Sequence, residues 1–279
     1  MKTIFQIIIL LIIIINPTFG QSKTLYKFLD SDFKYGFMDK YGDIKIQSKY
    51  LIVSDFKEGL AFVSKELIEK GYKWICIDTL GNEVFNLKDN FPETDFNQGF
   101  ARVSSFTEHW FINRKGNMVF AKTFQDGQGG FENGYAKVSD EPFKNFYFID
   151  IKGNKVEKLK IDIVNKESEN SSNLISFEED GKFGFKNKNG EIIIEAKFYK
   201  VDKFENGICA VRINERLFET ANNYYLDAII NEKGEILNQI PMHCYLGFRG
   251  ELIEFYEGLH FSGKVLYLNK EGKLVTPKE

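Results

Sequence analysis

Cysteine is scarce in this chain of 279 residues: Cys76, Cys209 and Cys244 are the whole set. An odd and sparse set excludes a disulfide framework as the source of stability. Cys76 and Cys209 fall on apolar or small columns, so both are expected as buried free thiols. Histidine is equally rare, at His109, His243 and His260. A metal centre needs several His, Cys, Asp or Glu ligands at matched spacing. The sequence holds no such set, so neither a metal nor a cofactor is expected. His243-Cys244 looks like a base beside a nucleophile, but neighbours on an extended chain point in opposite directions. His109 stands in an aromatic column and is expected as a packed ring. Excess charge of one sign is missing too. The 37 Lys and Arg oppose 40 Asp and Glu, for a net charge of −3. Without a basic stripe, nucleic acid is excluded as a partner class. Long hydrophobic runs are absent after the first residues, so no membrane span is expected in the body of the chain.

The one apolar run lies at the start. Lys2 is followed by Ile4 to Ile15, broken only by Gln6, and then by the small residues Thr18 and Gly20. This is the pattern of a signal peptide over residues 1–20, cleaved near Gly20-Gln21. Export is therefore expected, to the periplasm, the outer surface or the medium. The run is short of the ~20 residues that a membrane anchor needs.

What the chain has in quantity is phenylalanine (28), tyrosine (13) and a periodic turn. The turn reads Asp/Asn-x-x-Gly and ends at Gly42, Gly81, Gly116, Gly153, Gly190, Gly234 and Gly272. The intervals between these glycines are 39, 35, 37, 37, 44 and 38 residues. Self-similarity at such a period marks a repeat architecture. A hairpin loop built on a type I turn needs a following residue in the left-handed region, where glycine carries no Cβ. The Asp or Asn can accept from a backbone N–H two residues on. A calcium loop would need carboxylates at alternate positions and a later bidentate Glu, and each turn offers a single acidic or amide ligand.

The strand before each turn is apolar on both faces. One face holds Tyr35, Trp74, His109, Phe146, Phe183, Asp227 and Val265, then Phe37, Cys76, Phe111, Phe148, Phe185, Ile229 and Tyr267. Such a strand should lie between neighbours. A second landmark, F-x-x-G-[apolar]-[Ala/Cys]-x-V, spans Phe56–Val63, Phe96–Val103, Phe131–Val138 and Phe204–Val211, with a degraded copy at Phe255–Phe261. Ala61, Ala101, Ala136 and Ala210 are expected where one unit packs on the next. Leu174-Ile175-Ser176-Phe177 is expected to replace the copy missing before Gly181.

Lys34-Tyr35-Gly36-Phe37-Met38-Asp39-Lys40-Tyr41-Gly42 and Lys182-Phe183-Gly184-Phe185-Lys186-Asn187-Lys188-Asn189-Gly190, with Lys49-Tyr50 and Lys197-Phe198 after them, resemble the exported bacterial WG-repeat family. No copy keeps Trp-Gly itself: Trp74 is followed by Ile75 and Trp110 by Phe111. The resemblance implies a secreted or surface β-repeat protein, and carries over no catalytic residue.

The expected architecture is all-β. Residues 21–279 form one continuous array of about seven three-stranded antiparallel units, such as Leu60–Val63, Tyr72–Ile77 and Glu83–Phe85. The unequal intervals and degenerate last units favour an open twisted array over the alternative, a propeller-like closed ring. Tyr26 to Phe33 is expected as a terminal cap, and Gln125–Gly130 as a plain connector. Glu157–Asn173, Arg212–Asn223 and Gln239–Arg249 are expected as loops or insertions. The first contains Asn170-Ser171-Ser172, a glycosylation pattern expected to be inert in a bacterium.

Repeat arrays spread their residues over an extended face, which suits binding more than catalysis. The expected function is a non-catalytic interaction module for a protein or glycan at the cell envelope, with Tyr199, Tyr224, Tyr225 and Trp110 as candidate contacts. The alternatives are an exported carbohydrate hydrolase using an acidic pair and a structural envelope component.

Overall fold

The computed structural model describes residues 24–69, 71–156, 173–215, 226, 228–239, 244–256 and 264–278. The described residues form seven small antiparallel sheets of three or four strands, none closed on itself. Sheet 1 holds β1 (Tyr26–Leu29), β2 (Tyr35–Met38) and β3 (Ile44–Tyr50). Sheet 2 holds β4 (Ile52–Val53), β5 (Leu60–Ile68), β6 (Gly71–Asp78) and β7 (Glu83–Asn86). Sheet 3 holds β8 (Phe91–Pro92), β9 (Phe100–Ser104) and β10 (His109–Asn113). Sheet 4 holds β11 (Asp126–Glu132), β12 (Tyr135–Ser139), β13 (Tyr147–Asp150) and β14 (Lys155–Val156). Sheet 5 holds β15 (Ile175–Glu179), β16 (Lys182–Lys186) and β17 (Ile192–Phe198). Sheet 6 holds β18 (Lys200–Val201), β19 (Ile208–Arg212), β20 (Ala228–Asn231) and β21 (Ile236–Gln239). Sheet 7 holds β22 (Cys244–Arg249), β23 (Leu252–Tyr256), β24 (Val265–Leu268) and β25 (Leu274–Val275).

The predicted turns close the hairpins as their chemistry requires. Asp39 Oδ1 accepts from Tyr41 N at 2.9 Å and from Asp43 N at 3.1 Å, and Gly42 N donates to Asp39 O at 3.0 Å. The same bonds recur at the other six turns, the last of them at Asn269. The F-x-x-G landmark is a second, tighter reversal. Lys57 and Leu60 exchange both backbone hydrogen bonds around Glu58-Gly59, and both central residues have positive φ (51° and 79°). That is the type I′ hairpin turn. These turns also link neighbouring sheets: Gly99 N donates to Glu58 Oε2 at 3.0 Å, and Gly134 N to Gln98 Oε1 at 2.8 Å.

The glycine of the family's aromatic-Gly pair has a different task. Between Tyr35↔Tyr50 and Phe37↔Ile46 the register of β2 on β3 shifts, and β3 bulges over Gly36. A Cβ there would lie 2.7 Å from Ile46 O and 2.7 Å from Ser48 N. Gly184 lies under β17 in the same way, against Ile194 O and Ala196 N.

The cores lie between sheets. Phe37 and Tyr50 meet Phe56, Val63 and Ile77 between sheets 1 and 2. Phe62 and Cys76 meet Phe96, Ala101 and Ile112 between sheets 2 and 3. Phe111 and Phe124 meet Phe131, Ala136 and Ile149 between sheets 3 and 4. Phe185 and Ile194 meet Phe204, Cys209 and Ile230 between sheets 5 and 6. Ile208 and Ala210 meet Ile253, Phe255 and Leu268 between sheets 6 and 7. The four alanines thus sit at sheet junctions, as their size implied.

A sixth core joins the two ends of the chain. Tyr26, Phe28 and Met38 of sheet 1 pack on Leu252, Val265 and Tyr267 of sheet 7. Lys278 N donates to Gly42 O at 2.9 Å beside this core. Each buried large side chain contributes about 1.5–3 kcal/mol, whereas the Lys40–Glu251 pair (2.7 Å) is exposed and screened by solvent. Apolar packing therefore holds this seam. The sheets follow one another as 4, 3, 2, 1, 7, 6, 5, and among the described residues no core cluster joins sheets 4 and 5.

The expected all-β array of separate antiparallel sheets holds, with no sheet closed on itself, and sheets 1 and 7 also meet. Several other expectations change. Tyr26–Phe33 is no solvent-facing cap, because β1 is a paired strand with Tyr26 and Phe28 buried. The links Ile52-Val53, Phe91-Pro92 and Lys200-Val201 are themselves strands that start the next sheet. Gln125–Gly130 is mostly strand β11, with an irregular register near Gln128. Its Gly127 leaves space that the Arg102 guanidinium fills. Residues 175–179 do take the missing strand's place. The leader 1–20 lies outside the described residues, as do most of Glu157–Asn173 and residues 216–223 of the Arg212–Asn223 segment.

Gly36→Ala and Gly184→Ala should each lower stability by about 1–3 kcal/mol, as overpacking does. Urea unfolding of the two variants measures this, and an unchanged midpoint in both would contradict the bulge geometry.

Candidate functional site

The F-x-x-G turn is preceded by Asp55 in sheet 2 and Asp95 in sheet 3. Around Asp55 the chain gathers charge from several sheets. Lys27 Nζ of β1 is 3.1 Å from Asp55 Oδ1, and Arg249 Nη2 at the end of β22 is 3.0 Å from Asp55 Oδ2. Arg249 Nε also donates to Glu254 Oε2 of β23 at 2.6 Å. Both Asp55 oxygens are thereby engaged by cations. Glu254 is 1% exposed, and its Oε1 has no hydrogen-bond partner among the described residues. Burial pulls the Lys27 ammonium down, but the charges of Asp55 and Glu254 outweigh it and leave its pKa above the ordinary value. Arg249 follows the same pattern. Asp95 moves the other way for an acid. Burial raises its carboxyl pKa and the Asp55 charge adds to this, against a hydrogen bond from Ser54 and the charges of Lys57 and Lys27. Burial also raises the phenol of Tyr267 well above its usual range.

A second cluster lies at the junction of sheets 3 and 4. Glu93 Oε2 is 2.7 Å from Arg102 Nε and 2.8 Å from His109 Nδ1. The Arg102 contact is close as an ion pair but not aligned as a hydrogen bond, since Nε makes none. Arg102 is buried and stacks its guanidinium over Gly127.

The edges of the sheets carry two further features. The hairpin turns that join β1 to β2, β5 to β6, β9 to β10 and β12 to β13 all lie at one end of their sheets. Three carry an exposed apolar side chain in the turn, Phe33 at 77%, Phe106 at 70% and Phe143 at 89% exposure, and Leu67, 70% exposed, lies near the end of β5 beside the other. Phe33 and Phe143 also have φ of 57° and 59°. At the opposite end, a cleft of about 540 Å³ straddles sheets 7 and 1, lined by Lys40, Tyr41, Asn206, Glu251, Leu252 and the turn Asn269–Glu271.

The sequence candidates scatter. Trp110 is half-buried against the core between sheets 2 and 3. Tyr199 lies under Lys182 Nζ at 3.5 Å and bonds Glu215 at 3.3 Å. His109 is paired with Glu93 rather than simply packed. Cys76 and Cys209 are buried and free, and burial pushes the Cys76 thiol up to about 12 and Cys209 higher still. Tyr224, Tyr225, His243 and His260 lie outside the described residues, and Cys244 falls in β22. Among the described residues no group of three or more His, Cys, Asp or Glu is placed to hold a metal ion, and no helix is long and apolar enough to cross a membrane. The sequence reading missed the Asp55 cluster, the apolar tips and the cleft. Its one available signal was the Asp-Phe pair shared by 55–56 and 95–96.

Separate small antiparallel sheets that share the Asx turn and pack face to face define an all-β repeat protein. The repeat is the WG containing repeat, matched at residues 35–66, 111–141 and 183–216. No curated protein matches the chain. Among solved structures, a protein of unknown function from Bacteroides caccae is 15% identical, over 78% of this chain and 94% of that one, with a TM-score of 0.32.

Two pH effects follow from the site. In the folded chain the Asp95 carboxyl pKa is raised, so folding is penalised as pH rises past the ordinary value of 3.8, and the penalty is complete above the folded pKa. Asp95→Asn should therefore stabilise the protein at pH 7 and leave it unchanged near pH 3, where both states are protonated. The raised Cys76, Cys209, Tyr267 and Lys27 all hold protons that the unfolded chain releases first. Stability should then fall as pH rises above the ordinary thiol value of 9.0. Chemical denaturation at pH 3, 7, 9 and 10.5 checks both, and greater stability at pH 10.5 than at pH 7 would refute the second.

Proposed function

We propose that this chain is an exported, non-catalytic interaction module whose rim of turn tips docks a protein partner. The observation that carries the reading is the conformation of Phe33. Asp30 Oδ1 accepts from Asp32 N at 2.9 Å and Lys34 N at 2.8 Å, and Phe33 N donates to Asp30 O at 3.2 Å. This is the Asp-x-x-Gly turn with Phe in the glycine's place. An L-residue in that left-handed region costs about 1–2 kcal/mol. The ring recovers little of this by packing, since it is 77% exposed. Phe143 repeats the combination three sheets away, with Leu67 and Phe106 between them. Strain held without burial is the signature of a residue kept for contact with something else. An apolar row spread over four sheets fits a protein surface better than a small molecule. The engagement of both Asp55 oxygens by Lys27 and Arg249 supports the non-catalytic half of the reading, because that carboxylate is tied as a structural anion. Export rests on Lys2 and the Ile4–Ile15 run.

The test combines stability with capture. Phe33→Gly and Phe143→Gly should each stabilise the fold by about 1 kcal/mol through relief of the turn strain. The triple variant Phe33→Gly, Phe106→Ser, Phe143→Gly should lose the partner that the immobilised 21–279 chain retains from the parent cell's envelope fraction. Equal capture by the triple variant, or release of reducing sugar from envelope polysaccharide by the wild-type chain, would overturn the reading.

A further inference from the structure

The cleft across the seam of sheets 7 and 1 is built differently from the rest of its edge. In the type I′ turns of sheets 2, 3, 4 and 6 the glycine comes second, at Gly59, Gly99, Gly134 and Gly207. In sheet 7 the order is reversed: Gly250 comes first with φ 62°, and Glu251 occupies the place that glycine holds elsewhere. A first-position glycine is the mark of a type II′ turn. Glu251 reaches across the seam, and Lys40 Nζ donates to both of its carboxylate oxygens at 2.7 Å. Asn206, whose counterparts Glu58 and Gln98 accept from the next sheet's glycine N–H, instead approaches Gly250 O at a long 3.4 Å. Tyr41 stands at the tip of the Asp39–Gly42 turn with its ring 64% exposed, and Lys40 Nζ lies 5.1 Å from the ring centroid.

We propose that this cleft binds a neutral oligosaccharide, with the Tyr41 ring as the stacking platform and Asn206, Glu251 and Lys40 as hydroxyl partners. Size permits it, since about 540 Å³ falls within the range of small-ligand sites. Charge selects among ligands. Lys40 and Lys270 are balanced by Glu251 and Glu271, each cation within 4.0 Å of a carboxylate. A balanced lining offers no net attraction to a phosphate or a polyamine. It does present donors and acceptors side by side, which suits the paired hydroxyls of a sugar. The exposed aromatic face supplies what a polar cleft otherwise lacks, a surface for the apolar face of a pyranose ring. The site lies at the opposite end of the sheets from the Phe33 rim, goes beyond the rim reading and does not depend on it.

Titration of the isotope-labelled 21–279 chain with cellotetraose, maltotetraose, mannotriose and chitotriose, followed by amide NMR shifts, tests the proposal. Inorganic phosphate and spermidine serve as charged controls. At least one neutral sugar should shift the amides of Lys40–Gly42 and Asn269–Glu271. Tyr41→Ala should weaken that binding by about tenfold or more with an unchanged melting temperature, and Tyr41→Phe should retain it. Three outcomes would each overturn the assignment: no sugar of the panel shifting these amides at millimolar concentration, undiminished binding to Tyr41→Ala, or shifts produced by phosphate or spermidine in preference to the sugars. Partner capture through the rim is read in a separate assay, so failure here leaves that proposal standing and the reverse holds equally.

Discussion

The close approach of one sheet to the turn of the next governs this structure. A Cβ on Gly116 would lie 2.5 Å from the Phe85 ring, one on Gly153 2.6 Å from Phe120, and one on Gly272 2.7 Å from Leu237. In each case a side chain on the return segment of one unit occupies the volume that a turn side chain would take in the following unit. A single repeat unit of this kind cannot bury its hydrophobic face alone. The units are stable only because each covers its neighbour, and the bare turn lets them come near enough to do so. Gly42 likewise meets Thr276, here through that residue's backbone carbonyl, so the turn of sheet 1 abuts the return segment of sheet 7.

The periodicity of the turns was legible because it is chemical as well as statistical: the Asx oxygen and the glycine each have one job. The strands flanking the turns were legible for the same reason, since their two-sided apolar pattern demands neighbours. Less visible were the two-residue strands at 52–53, 91–92 and 200–201, which are too short for any alternation to register. The matched repeat at 35–66 runs from β2 of sheet 1 to β5 of sheet 2, so the sequence unit and the sheet are out of phase. A repeat out of phase with its sheets binds each sheet to the next through the chain itself. It leaves sheet 1 with one face needing a partner, and sheet 7 supplies it. The meeting of the termini was hidden because Leu252, Val265 and Tyr267 belong to units whose sequence has drifted furthest from the pattern.

That drift is where the charged residues enter. Glu254 lies within β23, where Phe255 is a mid-strand core residue and not the start of a further F-x-x-G turn, and Arg249 ends the least repeat-like stretch of the chain. Lys27 lies ahead of the first full unit. These three departures converge on Asp55, which belongs to a well-formed unit. The Glu93, Arg102 and His109 group repeats the logic at the next junction but one, where a polar residue in the position of Phe62 forces a glycine at 127. A buried ion pair is poor evidence of stability, because desolvation offsets most of its attraction. Here the opposite charges of sheets 1, 2 and 7 meet where the first and last units join.

The two ends of the sheets consequently live under different constraints. At the end with the Asx and F-x-x-G turns, backbone and side-chain bonds such as Glu58 to Gly99 tie neighbouring turns together, and residue choice is limited by the sheet alongside. At the other end no hydrogen bond joins one hairpin tip to the next among the described residues. The tips carry Phe33 and Phe143 at positive φ with exposed rings, held by hydrogen bonds from their N–H groups to Asp30 O and Asp126 Oδ2. The seam breaks this division in one place. There the turn order is inverted, Glu251 stands where a glycine would otherwise close the gap, and the edge opens into a polar cleft beside an exposed tyrosine. A regular array offers identical surfaces at every junction. The irregular junction, where the first unit meets the last, is a position in such an array where a distinct site can be built without disturbing the others.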